Sequence, residues 1–250
     1  MQEINLLAEK LRSATNLLIL TGAGMSTACG IPDFRSPTGI WNGPNGKRNQ
    51  YLFSRDGFTY AQAEFFIAFK KMYTEFREIT SDEPYEWLRK LGDSGLEATI
   101  VTQNIDGLHK RFTSENFIVY ELHGTAATMP CLGCGKKYST EQVLELYNGI
   151  EVPKTPCCNR RFDTDITLFG DGLPNDFDDL MRRIDNFDFL LVMGSSLEVA
   201  PVNMIPRYFS HSNKAIINLQ TTSVDSEFGI VIHADISECL QELFNYWRLL

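Results

Sequence analysis

What this 250-residue chain lacks already narrows its class. No apolar run is longer than a β-strand, so nothing in it reads as a membrane-spanning helix. The opening residues Met1-Gln2-Glu3 carry no basic segment ahead of an apolar one, so no secretory signal is expected. Positive charge is short: 23 Lys and Arg stand against 32 Asp and Glu, a net −9. A surface built to neutralise phosphates needs clustered cations, so nucleic acid is not an expected partner, and neither is a membrane. There are no internal repeats and no low-complexity tracts, and histidine is scarce, at four. Cysteine numbers only six, and Cys131, Cys134, Cys157 and Cys158 fall close together. Without a secretory signal such a cluster reads as metal before disulfide, and the expected compartment is the reducing cytoplasm.

What is present is an ordinary globular composition, 43% hydrophobic and 22% charged. The length suits one α/β domain with a small inserted module. Ile4, Leu7, Ala8 and Leu11 share one helical face. Short apolar runs follow at Leu17–Leu20, Ala98–Val101, Phe117–Tyr120, Phe189–Met193 and Ala215–Ile217, with a possible sixth at Gly229–Ile232. Runs that are continuous rather than alternating suit parallel strands covered on both faces. Helical stretches at 83–91, 175–184 and 203–209 lie between them, so the expected fold is α/β, a doubly wound, mostly parallel Rossmann-like sheet. Two segments break the rhythm: 41–91, with the aromatic stretch Phe65–Phe69, and 129–161, with the clustered cysteines. They are expected to form a small domain beside a discontinuous Rossmann-like domain of residues 1–40, 92–128 and 162–250.

Polar and glycine residues follow each run. After Leu20 come Thr21 and Gly22-Ala23-Gly24; after Val101, Thr102-Gln103-Asn104-Ile105-Asp106; after Leu122, His123-Gly124; after Met193, Gly194-Ser195-Ser196; after Ile217, Asn218. Any one of these is an ordinary cap or turn, but ligands of open parallel sheets bind at the strands' carboxyl ends, so together they predict one polar site. The glycine pair lets backbone amides approach a pyrophosphate. Yet the third glycine of G-x-G-x-x-G is missing, as is the ribose-binding acid about 20 residues on. A dinucleotide is therefore expected to be held differently than in a hydride-transfer enzyme. His123, at a strand end before a glycine, is the best candidate general base, whereas His109, His211 and His233 read as structural or surface residues.

Five strings carry a family likeness: Gly22–Ser26 with Gly30-Ile31-Pro32-Asp33-Phe34-Arg35-Ser36; Thr102–His109; Leu122-His123-Gly124; Phe169–Pro174; and Gly194–Pro201. In their order and over nearly the whole chain they resemble the sirtuins, NAD-dependent protein deacylases. The resemblance implies NAD as co-substrate, its pyrophosphate on Gly22, Ala23 and Gly24 and its adenosine end near Gly194, Ser195, Ser196, Asn218, Gln220 and Ile236. Ser26, Gln103, Asn104, Ile105 and Asp106 would complete that site, with Asn104 and Asp106 on the carboxamide and Asn104 also catalytic; Asp33, Phe34 and Arg35 would cover the nicotinamide ribose. An acyl-lysine oxygen would attack the ribose carbon as nicotinamide leaves, and His123 would take a ribose hydroxyl proton, giving free lysine and O-acyl-ADP-ribose. The acyl-lysine peptide would add as a strand between Phe169-Gly170-Asp171 and Leu197-Glu198-Val199. Other readings are a mono-ADP-ribosyltransferase or NAD glycohydrolase on the same scaffold, and a non-enzymatic NAD-sensing module.

Several positions depart from the family's pattern. Met25, Asp171 and Gln220 stand where a β-branched residue, a Glu and an acid are more usual. The Tyr-x-x-Arg pair of acid-acyl sirtuins is missing, with Phe69 and Met72 at about that place, so a neutral acyl group such as acetyl is favoured. The metal module departs most. Cys131-Leu132-Gly133-Cys134 is a normal zinc half-site, but the second half reads Thr155-Pro156-Cys157-Cys158, with threonine at the third ligand position. The expectation is one structural zinc on Cys131, Cys134, Cys157 and Cys158; three thiolates with another ligand, or an emptied module, are the alternatives.

Overall fold

In the computed structural model, which describes residues 2–33, 39, 42, 45–79 and 82–250, every apolar run becomes a strand. They are β1 Leu17–Thr21, β2 Ala98–Thr102, β3 Phe117–Glu121, then a separate pair β4 Thr128–Pro130 and β5 Lys137–Ser139, followed by β6 Phe189–Met193, β7 Lys214–Ile217 and β8 Ile230–Ile232. Six of them form one sheet in the order β3-β2-β1-β6-β7-β8, every pairing parallel. This is the doubly wound order, with its reversal between β1 and β6. The central strands β1, β6 and β7 are buried at every residue, as continuous apolar runs predict; the edge strand β3 is not, and Ile118 on it is exposed.

The helices are α1 Gln2–Ser13, α2 Gly24–Thr27, α3 Gly46–Leu52, α4 Arg55–Tyr60, α5 Gln62–Arg77, α6 Glu83–Asp93, α7 Leu108–Arg111, α8 Thr140–Leu146, α9 Asn175–Arg182 and α10 Ile236–Trp247. Side chains alternate across a strand, so Leu17 and Ile19 join the core under α1, α6 and α10, while Leu18 and Leu20 face the opposite core with Leu180, Val202 and Ile205. The stretch expected as a helix at 203–209 is a 3-10 segment, Val202–Tyr208; Pro206 inside it has no amide proton to give an α-helical ladder. Phe65, Phe66 and Phe69 of α5 are fully buried, and Phe65 packs against the rings of Phe53 and Phe58. The aromatic stretch is core. Among the described residues no helix is long and apolar enough to cross a membrane.

Candidate active site

The sheet's hydrogen bonding runs one residue past the strands. Gly22 N donates to Met193 O, Gln103 N to Thr21 O, Leu122 N to Thr102 O, Gly194 N to Ile217 O and Asn218 N to Ile232 O. Every loop singled out in the sequence therefore starts in register at one edge. Beyond that edge lies a cavity of about 620 Å³. It is lined by Gly22, Ala23, Gly24, Asp33, Gln103, Asn104, Ile105, His123, Phe169, Gly170, Asp171, Gly194, Ser195, Ser196, Glu198, Val199, Asn218 and Gln220.

The glycines prove to face one another. At the reversal point Gly24 N donates to Gly194 O at 2.9 Å, and a Cβ on Gly24 would stand 2.5 Å from Gly194 Cα. A Cβ on Gly22 would meet Gly194 O at 2.7 Å, and Gly194 itself has φ +62°. The two loops come this close because neither carries side chains there, and the cavity floor is bare backbone suited to a pyrophosphate. The helix that follows the loop is only the single turn Gly24–Thr27. It closes with Gly30 N on Thr27 O and Ile31 N on Ser26 O, a Schellman stop that uses Gly30 at φ +92°.

Asn104 is 5% exposed and spends both amide protons, on Gly22 O and Ser26 Oγ, each at 3.0 Å. It can offer a ligand only its oxygen as acceptor. Behind it the Ser26 hydroxyl donates to Asp106 Oδ2 at 2.6 Å, and the other Asp106 oxygen accepts from Leu108 N. Burial pushes the Asp106 carboxyl above its ordinary range. Ser26 and Asp106 thus back Asn104 and are not among the lining residues. Ser195 Oγ accepts from Gln103 Nε2 at 2.9 Å. His123 Nδ1 lies 3.0 Å from Gln103 O. A carbonyl only accepts, so Nδ1 carries a proton. The following Gly124, at φ +72°, has no room for a side chain: a Cβ there would sit 1.8 Å from Asp165 O.

Besides Ser26 and Asp106, expected in direct contact with NAD, two further expected residues sit elsewhere. Ile236, at the start of α10, is buried in the core and does not line the cavity; Leu197 is also buried, with a left-handed φ of +55°. Phe34 and Arg35 lie outside the described residues. The cavity also takes residues that sequence reasoning missed, among them Phe53, Ile166, Thr167, Leu168 and Leu219. Phe53 arrives through pairing of the Phe53–Arg55 backbone with Phe169, which no local pattern announces. Ile166–Leu168 directly precede the Phe169 string, and that adjacency was the available signal.

The ligand atoms of Cys131, Cys134, Cys157 and Cys158 all lie within 4.8 Å of one another. Tetrahedral zinc with bonds of about 2.3 Å needs sulfurs about 3.8 Å apart, so the set fits one ion. Thr155, at the third ligand position, is buried, and its hydroxyl lies 3.2 Å from Cys131 Sγ while accepting from Arg160 N. It supports a sulfur instead of replacing one. That hydroxyl, helped by the Cys134 and Gly133 amides, pulls the Cys131 thiol down to about 6. The neighbouring Cys134 and Cys157 push Cys158 up to about 12, a conflict between crowded thiols that a divalent cation removes.

The Sir2 family model matches residues 22–201. The chain belongs to the Sir2 family. An NAD-dependent protein deacetylase of Bacillus subtilis is 41% identical over 246 residues, covering 93% of this chain and 96% of the relative. An NAD-dependent protein deacetylase 2 of Geobacillus kaustophilus is 38% identical, covering 95% of each. Among solved structures, a Sir2 with a p53 peptide and NAD+ superposes with a TM-score of 0.84 at 29% identity, covering 98% of each chain. A Sir2 bound to an acetylated peptide gives 0.84 at 28% identity, covering 99% of each. The six-stranded parallel sheet is the one the apolar runs predicted, and the four cysteines cluster although Thr155 stands at the third ligand position of the family pattern.

Proposed function

We propose that this Sir2 chain is an NAD-dependent protein-lysine deacylase that prefers a neutral acyl group such as acetyl. It would convert acyl-lysine peptide, NAD and one water to nicotinamide, free lysine and O-acyl-ADP-ribose. The observation that carries the reading is His123, held by Gln103 O in the same cavity as the Gly22–Gly24 and Gly194–Ser196 backbone. Bound NAD supplies a ribose–nicotinamide bond whose cleavage creates an electrophile. The chain's own residues do the rest. Gly22–Gly24 and Gly194–Ser196 bind the phosphates and adenosine end, with Asn218 and Gln220 beside them. Asn104 orients the reacting end through its remaining acceptor, kept in place by Ser26 and Asp106. His123 Nε2 takes a ribose hydroxyl proton, and the imidazolium that forms is stabilised by Nδ1–H on Gln103 O. Phe169–Asp171 and Glu198–Val199 flank the peptide.

Cys131, Cys134, Cys157 and Cys158 hold a structural zinc that closes the β4–β5 module. The division into a discontinuous NAD domain and a small domain of 41–91 and 129–161 belongs to the same proposal. So does a cytoplasmic location, which six unpaired cysteines suit.

The test mixes protein, NAD and an acetyl-lysine peptide and follows nicotinamide and deacetylated peptide. Peptide-dependent release of both is expected, and His123→Ala should lower kcat by ~10²–10⁴. Release without peptide would mark a glycohydrolase, and a full-rate alanine variant would remove His123 from the mechanism.

A further inference from the structure

Arg55 does not line the cavity, yet it touches the segment that does. Its backbone N donates to Phe169 O at 2.9 Å, and Phe169 N donates to Phe53 O at 3.0 Å, so 53–55 and Phe169 pair as short parallel strands. Its guanidinium then forks. Nε and Nη2 reach the two oxygens of Asp171 at 2.8 and 2.7 Å, and Nη1 reaches Asp163 Oδ1 at 2.8 Å. Asp171 Oδ2 also accepts from Leu168 N, closing the turn Leu168–Asp171 on itself. Asp163 N donates to Pro130 O, so the fork's far end rests on β4, next to Cys131. The bidentate geometry is the directional form of an ion pair, which a lysine cannot reproduce.

Phe169, Gly170 and Asp171 form one wall of the cavity. Gly170 sits there with φ +96°, and a Cβ on it would meet only Arg55 Cβ, at 3.9 Å, so its position is set by its flanks and by Arg55. We propose that Arg55 is a positioning residue for peptide binding, holding the Phe169–Asp171 wall through Asp171 and bracing it against the zinc module through Asp163. In this arrangement the Asp171 carboxylate is committed to Arg55. The wall therefore presents main chain to the peptide, and Asp171 does not select for a basic residue in it. The inference rests on the deacylase reading.

The test is steady-state deacetylation by the full chain with Arg55→Met, Arg55→Lys and Asp171→Asn, alongside direct binding of a fluorescent acetyl-lysine peptide and thermal melting. Arg55→Met should raise peptide KM and the peptide dissociation constant about tenfold, with kcat and NAD KM within about twofold of the parent. Arg55→Lys should recover only part of the loss. Asp171→Asn should reproduce most of the Arg55→Met loss and add little on top of it, because both break the Arg55–Asp171 pair while only Arg55→Met also loses Asp163. Unchanged peptide affinity in Arg55→Met or Asp171→Asn would overturn the proposal, and so would equal losses in kcat, NAD KM and peptide KM. Should Arg55→Met not fold, Arg55→Lys and Asp171→Asn decide by the same criteria. If the parent releases no nicotinamide with peptide, the deacylase reading fails, while the peptide-binding comparison still judges the clamp.

Discussion

His109 and His123 are the same residue type put to opposite uses by what surrounds them. His123 stands at the cavity with Nδ1 on a carbonyl. His109, three residues after Asp106, turns inward: Nε2 lies 2.7 Å from Thr21 Oγ1, Tyr85 meets it edge-on, and burial drops its pKa to about 3. By sequence it reads as a structural or surface residue, and it is buried at the start of α7. The consequence is a pH dependence. In the unfolded chain the imidazole titrates near 6.5, so between roughly pH 6.5 and 3 the unfolded state binds the extra proton. The contribution of neutral His109 is present above 6.5 and is lost as pH falls, by up to about 1.4 kcal/mol per unit. Asp106, whose pKa burial raises, acts in the opposite sense nearer its own range. Denaturant titrations from pH 7 to 4 should show His109→Gln losing stability less steeply than the parent; parallel slopes would refute the assignment.

Glycine spacing looks like a ligand signature at the level of the element, but here it first serves two loops that must touch. A methyl on Gly194 would stand 2.7 Å from Gly24 Cα and would also be strained at φ +62°. Gly30 has the strain, at φ +92°, with nothing within 4 Å. Comparing the two separates the effects. Gly30→Ala should cost about 1–2 kcal/mol in stability with little loss of NAD affinity. Gly194→Ala should cost more and abolish measurable NAD binding by calorimetry, because the β1 and β6 loops must part. Equal effects would mean that the loop contact is not what shapes the floor. The string Gly22–Arg35 was legible as a nucleotide loop with an unusual extension. The mutual packing of Gly22, Gly24 and Gly194 was not, since their partners are some 170 residues apart in the chain.

On the scale of the whole molecule, the β4–β5 module hangs on one cluster of thiols and is joined to the cavity wall through Arg55 and Asp163. Removing zinc should therefore be felt beyond the module. A strong chelator should release one ion per chain, loosen residues 128–162 in hydrogen exchange and weaken peptide binding more than NAD binding, since zinc sites supply ~10–16 kcal/mol of local folding energy. Cys157→Ala should lose the ion, whereas Thr155→Val should keep it but release it faster. A Cys157→Ala protein with a full zinc complement would return the module to three thiolates and another ligand. By itself the sequence determined the six strands of the main sheet, though not β4 and β5, because continuous apolar runs such as Leu17–Leu20 and Phe189–Met193 suit a sheet covered on both faces, and it determined which residue types reach the strand ends. Tertiary structure alone decided which of those residues face the cavity, as with Asn104 in front and Ser26 and Asp106 behind, and alone brought Arg55 onto Asp171. Apolar burial is written into local pattern, whereas a hydrogen bond between distant residues exists only once the backbone has put donor and acceptor within about 3 Å.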